Sequence, residues 1–228
     1  EEILNQGYGG IKIYPLQKRT IDQAAICVSK IRQTLGFNIP LMLDLACPND
    51  PNVSLKLAPL VKEFKPYWFE EPVDGEATRT LIEIKNQTGL RIVTGEKQCG
   101  INHFIETLAA DAVDIFNPDI SSVGGIIDMI KIIELSHKKN VKVSPHCWNS
   151  MSIAASAMIH LCKSFPNTEM AEFFPEYIPY TLKFCNKNFE INNGFIELDN
   201  REGLGVKIDT NLLMENTSSY KFSILDKN

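Results

Sequence analysis

Ionisable side chains stand at or beside the ends of seven short apolar segments of this sequence. They are Lys12, Asp44, Glu70, Glu96, Asp119, His146 and Glu172. The regular recurrence of the segments predicts successive strands of one sheet. The ends of parallel strands meet at one edge of a sheet or barrel, so the seven groups are expected to form a single reactive site.

Three of these groups, Asp44, Glu70 and Glu96, are carboxylates on three successive segments. Anions that approach one another repel strongly unless a cation lies between them. Ligation by a few carboxylate oxygens is the preference of Mg²⁺, with Mn²⁺ as the alternative. We therefore predict a site for one hard divalent cation. For each residue taken singly, an N-cap or a solvated strand end is the other interpretation.

Asp119 and His146 follow neighbouring predicted strands. A carboxylate beside an imidazole can hold it in one tautomer and raise its basicity. The pair is therefore predicted to act as a general acid and base. The other interpretation is a structural histidine that is simply hydrogen-bonded at a strand end.

Lys12 and Tyr14 are two residues apart in the first predicted strand, so both side chains point to the same face. Lys12 could bind a substrate carboxylate or lower the pKa of a neighbouring group. Tyr14, with an ordinary pKa of about 10, is a poor base unless cations adjoin it. A pocket wall is the preferred interpretation of Tyr14, with proton transfer as the alternative.

Short apolar strands alternate with longer amphipathic stretches, such as residues 21–35 and 125–139, along most of the chain. The predicted strands are residues 10–14, 40–45, 67–70, 91–95, 113–117, 141–144 and 168–173. Seven βα units in a row favour a closed (β/α) barrel over an open doubly wound sheet, and no GxGxxG loop follows the first strand. We predict an α/β fold of the TIM barrel type in which one of the eight customary strands is absent.

The composition of the chain favours a globular protein over a nucleic-acid-binding or membrane protein. The 228-residue chain is 44% apolar, which suits one sizeable core, and its net charge of -5 comes from acidic and basic residues that are intermixed. Such a surface offers no basic stripe for nucleic acid or an anionic membrane. The six cysteines form no CxxC pair, which indicates reduced thiols and a cytoplasmic protein. No apolar run reaches the roughly 18 residues of a membrane helix.

The order of these motifs is similar to that of the mandelate racemase/muconate lactonizing enzyme branch of the enolase superfamily. The segments that carry the resemblance are Trp68-Phe69-Glu70-Glu71-Pro72, Thr94-Gly95-Glu96, Asn117-Pro118-Asp119 with Gly124-Gly125 beyond, and Ser144-Pro145-His146. The resemblance implies a modified TIM barrel with Mg²⁺ held by Asp44, Glu70 and Glu96. It also implies an Asp119/His146 dyad and a Glu172 that donates to a substrate carboxylate oxygen.

The chemistry implied by this resemblance begins with removal of the proton α to a carboxylate. Family racemases have a second lysine where this chain has Tyr14, and residues 145–150 and 168–175 look like those of sugar-acid dehydratases. We therefore favour dehydration of a sugar acid to a 2-keto-3-deoxy acid. A racemase or epimerase of a 2-hydroxy or amino acid derivative and a non-catalytic incomplete barrel remain alternatives. A fourth, a plain binding protein, would require the three carboxylates to point apart.

The expected organisation is a barrel over residues 1–187, a C-terminal segment over 188–214 that returns towards the position of a capping domain, and a polar tail over 215–228. Relatives carry an N-terminal capping domain and a first barrel strand that have no counterpart in this sequence. Glu71 is interpreted as a partner of the cation ligands, and Lys97 as either a pocket cation or a solvated loop charge. We expect a small-molecule carboxylate substrate, no nucleic-acid or membrane partner, and a homo-oligomer.

Overall fold

Within the described part of the chain, six parallel strands form one central sheet, and each follows its neighbour in chain order. The computed structural model describes residues 2–148, 152–185, 189–198 and 200–216. The strands are β1 (Ile11–Ile13), β2 (Leu41–Asp44), β3 (Trp68–Glu70), β4 (Ile92–Thr94), β5 (Ile115–Phe116) and β6 (Lys142–Val143), in the sheet order β1 to β6. The predicted parallel α/β architecture is confirmed.

Helices connect the strands and cover the outer face of the sheet. They are α1 (Glu2–Asn5), α2 (Ile21–Leu35), α3 (Pro51–Val61), α4 (Thr78–Thr88), α5 (Asn102–Ala109), α6 (Gly125–Lys138) and α7 (Ser152–Ser164), followed by α8 (Ile178–Phe184) and α9 (Thr210–Glu215). Short 3₁₀ turns occupy Lys62–Phe64 and Pro175–Tyr177. Within the described ranges, no helix is both long and apolar enough to cross a bilayer.

Local sequence explains where these helices begin and end. Thr20 caps α2 by accepting from the Gln23 backbone N–H at 3.3 Å, and the Gln23 side chain accepts from the Thr20 N–H at 3.0 Å. The chain after α4 turns at Gly89, whose φ of 61° is left-handed and costs glycine little. The start of α2 and the end of α4 are thus encoded by local sequence.

Side-chain alternation along the strands separates the core from the site. Met42, Trp68, Val93 and Ile115 form one buried cluster on the inner face of the sheet. The residues next to them in the same strands, such as Leu43 in β2 and Phe69 in β3, point to the other face and join the main core beneath the helices. Asp44 lies two residues beyond Met42, so it shares the inner face at the carboxyl end of its strand. The inner face is therefore apolar along the strands and ionisable at their carboxyl ends.

The seventh predicted strand, residues 168–173, is wrong as a regular strand. It is reduced to a parallel bridge between Val143 and Thr168, continued by a bond from the Glu169 N–H to the Val143 carbonyl at 2.9 Å. Beyond that point the ladder stops, because the next donor in this register would be the backbone N–H of Pro145, which proline lacks. The contact continues through a side chain, since the Ser144 hydroxyl donates to the Met170 carbonyl at 3.0 Å. The segment still runs beside β6 and delivers Glu172 to the sheet edge.

The C-terminal segment forms a hairpin from β7 (Ile191–Asn192) and β8 (Phe195–Ile196). Its turn approaches the N-terminal residues closely, since a side chain added at Gly194 would meet the Cα of Gly9 at 3.0 Å. Phe189 and Ile196 pack against the α7 side of the barrel. The predicted tail falls almost entirely beyond the described residues, as do residues 149–151 at the predicted start of α7.

Arg32 joins α2 to the turn that precedes β3. It is 3% exposed, and its guanidinium donates to four carbonyl oxygens and to no carboxylate among the described residues. These carbonyls belong to Gly36, Ile39, Phe64 and Lys65, at 2.7 to 3.1 Å. A buried acceptor that loses its donor keeps its desolvation cost.

We predict that Arg32→Met lowers the free energy of unfolding by about 3 kcal/mol or more, because several buried carbonyls lose their donor at once. Urea unfolding monitored by circular dichroism measures the change. Arg19→Met is the matched control, since Arg19 makes only an exposed bond to the Gln17 carbonyl. Equal losses in the two variants would contradict this account of Arg32.

Candidate active site

All seven ionisable groups predicted from the sequence lie at the carboxyl edge of the sheet or directly beyond it. Lys12 is within β1, Asp44 and Glu70 end β2 and β3, and Glu96 follows β4 by two residues. Asp119 and His146 follow β5 and β6 and form a parallel bridge with each other. Pairing of Asp44 with Glu70 in the ladder places these two carboxylates side by side. The strand register thus produces the cluster.

Asp44, Glu70 and Glu96 each present one carboxylate oxygen to a common point. These three atoms lie within 4.8 Å of one another. Oxygen ligands at about 2.0 to 2.6 Å from a shared cation can span such separations. Asp44 and Glu70 are 2% and 0% exposed, so bulk water screens their charges poorly. The donor set and its spacing fit one hard divalent cation.

Glu70 is the most enclosed member of the trio and has donors on both oxygens. Oε1 accepts from Lys12 Nζ at 2.7 Å and from Asn117 Nδ2 at 2.8 Å, while Oε2 accepts from Trp68 Nε1 at 2.8 Å. Burial raises the pKa of Glu70, Lys12 lowers it, and the charges of Asp44 and Glu172 raise it, with a net rise. A cation at the common point would oppose that rise by stabilising the charged form.

Trp68 and Asn117 are positioning residues that sequence reasoning missed. Each had a signal in the strand pattern, since Trp68 stands two residues before Glu70 and Asn117 two residues before Asp119. Both therefore share the inner face with an ionisable group. Which carboxylate Asn117 would reach could not be deduced from its own strand.

Lys12 balances several of the carboxylate charges. Its Nζ lies 2.6 Å from Glu172 Oε1, 2.7 Å from Glu70 Oε1 and 3.4 Å from Asp44 Oδ2. Burial lowers the pKa of Lys12, but these carboxylates raise it by more, so the pKa lies well above its usual value. These contacts stabilise the charged form of Lys12, which thus serves as a cation within the cluster.

Tyr14 lies near the same cation, with Lys12 Nζ 6.0 Å from the centre of its ring. Burial raises the pKa of Tyr14 and Lys12 lowers it, while nearby carboxylates raise it further, and the net shift is upward. A phenol with a raised pKa keeps its proton at neutral pH. This direction favours a pocket wall over a base.

His146 and Asp119 form a directly bonded pair. His146 Nδ1 lies 2.8 Å from Asp119 Oδ2, and Asp119 Oδ1 accepts from the Ser121 N–H at 2.7 Å. Because an ionised carboxylate only accepts, Nδ1 carries the proton and Nε2 faces the cation site, 3.3 Å from Glu96 Oε2. Burial lowers the pKa of His146, but the bond to Asp119 and the charges of Glu172 and Glu96 raise it, with a net rise.

Glu172 connects the two halves of the cluster. Its Oε1 contacts Lys12 Nζ, and its Oε2 accepts from the Cys147 N–H at 3.1 Å and lies 3.9 Å from His146 Nε2. The irregular segment that replaced the seventh strand therefore brings a fourth carboxylate to the site. The predicted donation from Glu172 to a substrate carboxylate would require the protonated form of Glu172, and that role stays a prediction.

Glu71 points away from the trio and supports it from behind. Its Oε1 accepts from Thr94 Oγ1 at 2.6 Å and from the Gly95 N–H at 3.0 Å. These bonds tie the end of β3 to the loop that carries Glu96. The geometry agrees with the interpretation of Glu71 as an outer partner of the ligands.

A cavity of about 400 Å³ opens beside the trio and the dyad. Its lining residues are Glu96, Lys97, Asp119, Ser121, Ser122, His146 and Trp148. Cavities of this size hold small organic ligands. The site therefore combines a cation position, an oriented imidazole and space for a small molecule.

This chain is similar to known proteins over most of its length. The family model described as "Enolase C-terminal domain-like" matches residues 1–212. The D-galactonate dehydratase of Ralstonia pickettii is 31% identical over 209 residues, which cover 86% of this chain and 53% of that enzyme. The chain spans about half the length of the curated relatives it matches.

Solved structures show the same fold. An enolase from environmental shotgun sequencing of the Sargasso Sea has 46% sequence identity and a TM-score of 0.90, covering 94% of this chain and 57% of that one. The 3,6-anhydro-D-galactonate cycloisomerase of Zobellia galactanivorans has 28% identity and a TM-score of 0.85, covering 94% of this chain and 60% of that one.

We predict that Asp44→Asn weakens Mn²⁺ binding by an order of magnitude or more, because one of three anionic ligands becomes neutral. Titration of free Mn²⁺ by electron paramagnetic resonance measures the dissociation constant. Glu83→Gln, on the exposed face of α4, removes the same charge at a distance and should leave the constant unchanged. Equal dissociation constants for wild type and Asp44→Asn would show that the trio does not bind the ion.

Proposed function

We infer that this chain, which belongs to the enolase C-terminal domain-like family, carries the active site of an enzyme that removes the proton α to a carboxylate. Membership in this family confirms the resemblance seen in the sequence. The observation that carries the proposal is the position of His146 Nε2, 3.3 Å from a carboxylate of the Asp44, Glu70 and Glu96 trio. A base and a cation position therefore face the same small volume.

Mg²⁺ is the cation that we propose for this trio, with Mn²⁺ as the alternative. When bound, it would supply positive charge beside the substrate carboxylate, where negative charge develops as the α-proton leaves. Lys12 adds a second positive charge on the same side of the site. Because an α-proton is far less acidic than an imidazolium, this stabilisation must supply most of the reduction in the barrier.

His146 is proposed to move the proton. Its Nε2 takes the α-proton while Asp119 holds the ring through Nδ1 and stabilises the imidazolium. The imidazolium then returns this proton to the β-hydroxyl as the C–O bond breaks, and water leaves. The resulting enol becomes the 2-keto-3-deoxy acid when C3 takes up a proton. One histidine can thus serve both proton transfers.

Dehydration of a sugar acid is the favoured reaction because several relatives are sugar-acid dehydratases, at 22 to 31% identity. A racemase or epimerase needs a second base on the opposite face of the α-carbon, and the raised pKa of Tyr14 makes that residue unsuitable. Cycloisomerisation is a second candidate, since a galactarolactone cycloisomerase and an anhydrogalactonate cycloisomerase are both similar to this chain.

The reaction class can be tested with a panel of six-carbon sugar acids incubated with Mg²⁺ or with EDTA. We expect a 2-keto-3-deoxy product, detected as its semicarbazone, only when Mg²⁺ is present. Deuterium at the α-carbon without a keto product would instead indicate racemisation or epimerisation. Metal binding with neither signal would favour the non-catalytic barrel and overturn the proposal.

We predict that His146→Asn lowers the rate of keto-acid formation by about 10²- to 10⁴-fold, because the proposed base is lost while the trio remains. The semicarbazone assay measures the product, and a Mn²⁺ titration checks that the cation still binds. His137→Asn, on the exposed surface of α6, is the matched control and should form product at the wild-type rate. Product formation at the wild-type rate in His146→Asn would remove this residue from the mechanism.

A further inference from the structure

A second lysine, Lys97, lines the same cavity as His146 and Trp148. It follows Glu96 in the loop after β4, and its Nζ lies 2.9 Å from the Sγ of Cys47. The loop position is held by Glu71, which accepts from the Gly95 N–H at 3.0 Å. Lys97 is therefore placed by the same loop that carries a proposed cation ligand.

The two lysines of the site differ in their charge partners. Lys12 Nζ lies within 4.0 Å of three carboxylates. Lys97 makes no ion pair within this distance anywhere in the described ranges of the chain, and its side chain is exposed. Its ammonium charge is therefore not neutralised at contact distance, unlike that of Lys12.

Cys47 does not neutralise that charge either. Burial raises the pKa of the Cys47 thiol, and Glu71, whose Oε2 lies 2.7 Å from the sulfur, raises it further, to about 12. The thiol is therefore neutral at physiological pH.

We propose that Lys97 binds a second carboxylate at the end of the substrate remote from the reacting α-carbon, so that sugar diacids are preferred over sugar monoacids. This inference rests on the proposed function, which assigns the first carboxylate to the cation position and Lys12. A cation without an anionic partner in a concave site is satisfied by an anionic ligand group. Ser121 and Ser122 line the same cavity, where their hydroxyls can bind substrate hydroxyls.

The test compares galactarate with galactonate, which share one configuration and differ in the oxidation of the last carbon. Isothermal titration calorimetry in MgCl₂ gives the dissociation constant of each acid for the full chain. We expect the wild type to bind galactarate about tenfold more tightly than galactonate, an effect of the size of one charge-assisted hydrogen bond. Lys97→Met should abolish that difference by weakening galactarate binding alone.

Two further variants separate recognition of charge from loss of structure. Lys97→Arg keeps the charge and should retain most of the preference for galactarate. Lys138→Met removes the same charge from the exposed C-terminal end of α6 and should leave both constants unchanged. An Lys97→Met variant that weakens both acids equally would mark a structural role and overturn the inference.

The outcomes also distinguish this inference from the proposed function. Equal affinity of the wild type for the two acids, or a preference that persists in Lys97→Met, overturns the assignment of Lys97. In that case, Mg²⁺-dependent formation of a keto acid from either acid would still support the proposed chemistry. The absence of keto product and of binding for both acids would overturn the two proposals together.

Discussion

Repulsion among carboxylates is the constraint around which this site is built. Among the described residues, four of them, Asp44, Glu70, Glu96 and Glu172, surround the ammonium group of Lys12 and the imidazole of His146. With a neutral histidine, Lys12 alone cannot balance these charges, and the net rise in the pKa of Glu70 expresses the imbalance. A divalent cation would offset most of the excess. The same repulsion that raises the energy of the cluster therefore favours the binding of a cation.

The barrel can hold such a cluster because strand alternation keeps it apart from the apolar core. On β2, Met42 belongs to the inner apolar cluster while Asp44 stands above it at the strand end. On β3, Trp68 belongs to both regions, since its ring packs in the apolar cluster and its Nε1 donates to the Glu70 carboxylate. Burial of the apolar cluster stabilises the fold. At the carboxyl ends of the strands, hydrogen bonds from fixed donors limit the free-energy cost of enclosing the carboxylates.

The sequence was sufficient to predict the parallel α/β fold and the residues that could gather at the strand ends, because both depend on local periodicity. It was insufficient wherever a contact joins distant segments. The bond from Asn117 to Glu70 spans three strands, and the contact between Lys97 and Cys47 depends on how two loops pack. The seventh strand failed for a different reason, since Pro145 has no N–H to donate to the next carbonyl of a regular ladder. A donor that is missing on the neighbouring strand leaves no trace in the apolar periodicity of residues 168–173.

The opposite end of the barrel explains how an irregular segment can still place Glu172 accurately. Glu169 accepts from Tyr67 Oη at 2.5 Å and from Arg91 Nη2 at 3.3 Å, and the guanidinium of Arg91 lies over the Tyr67 ring. Tyr67 and Arg91 stand at the starts of β3 and β4, so this network fixes the segment at the amino edge of the sheet. Glu172 follows three residues later, at most about 10 Å along the chain, and its Oε1 contacts Lys12 Nζ at 2.6 Å. The contacts of Glu169 at the amino edge of the sheet thus help to position Glu172 at the carboxyl edge, where the segment makes few backbone hydrogen bonds to β6.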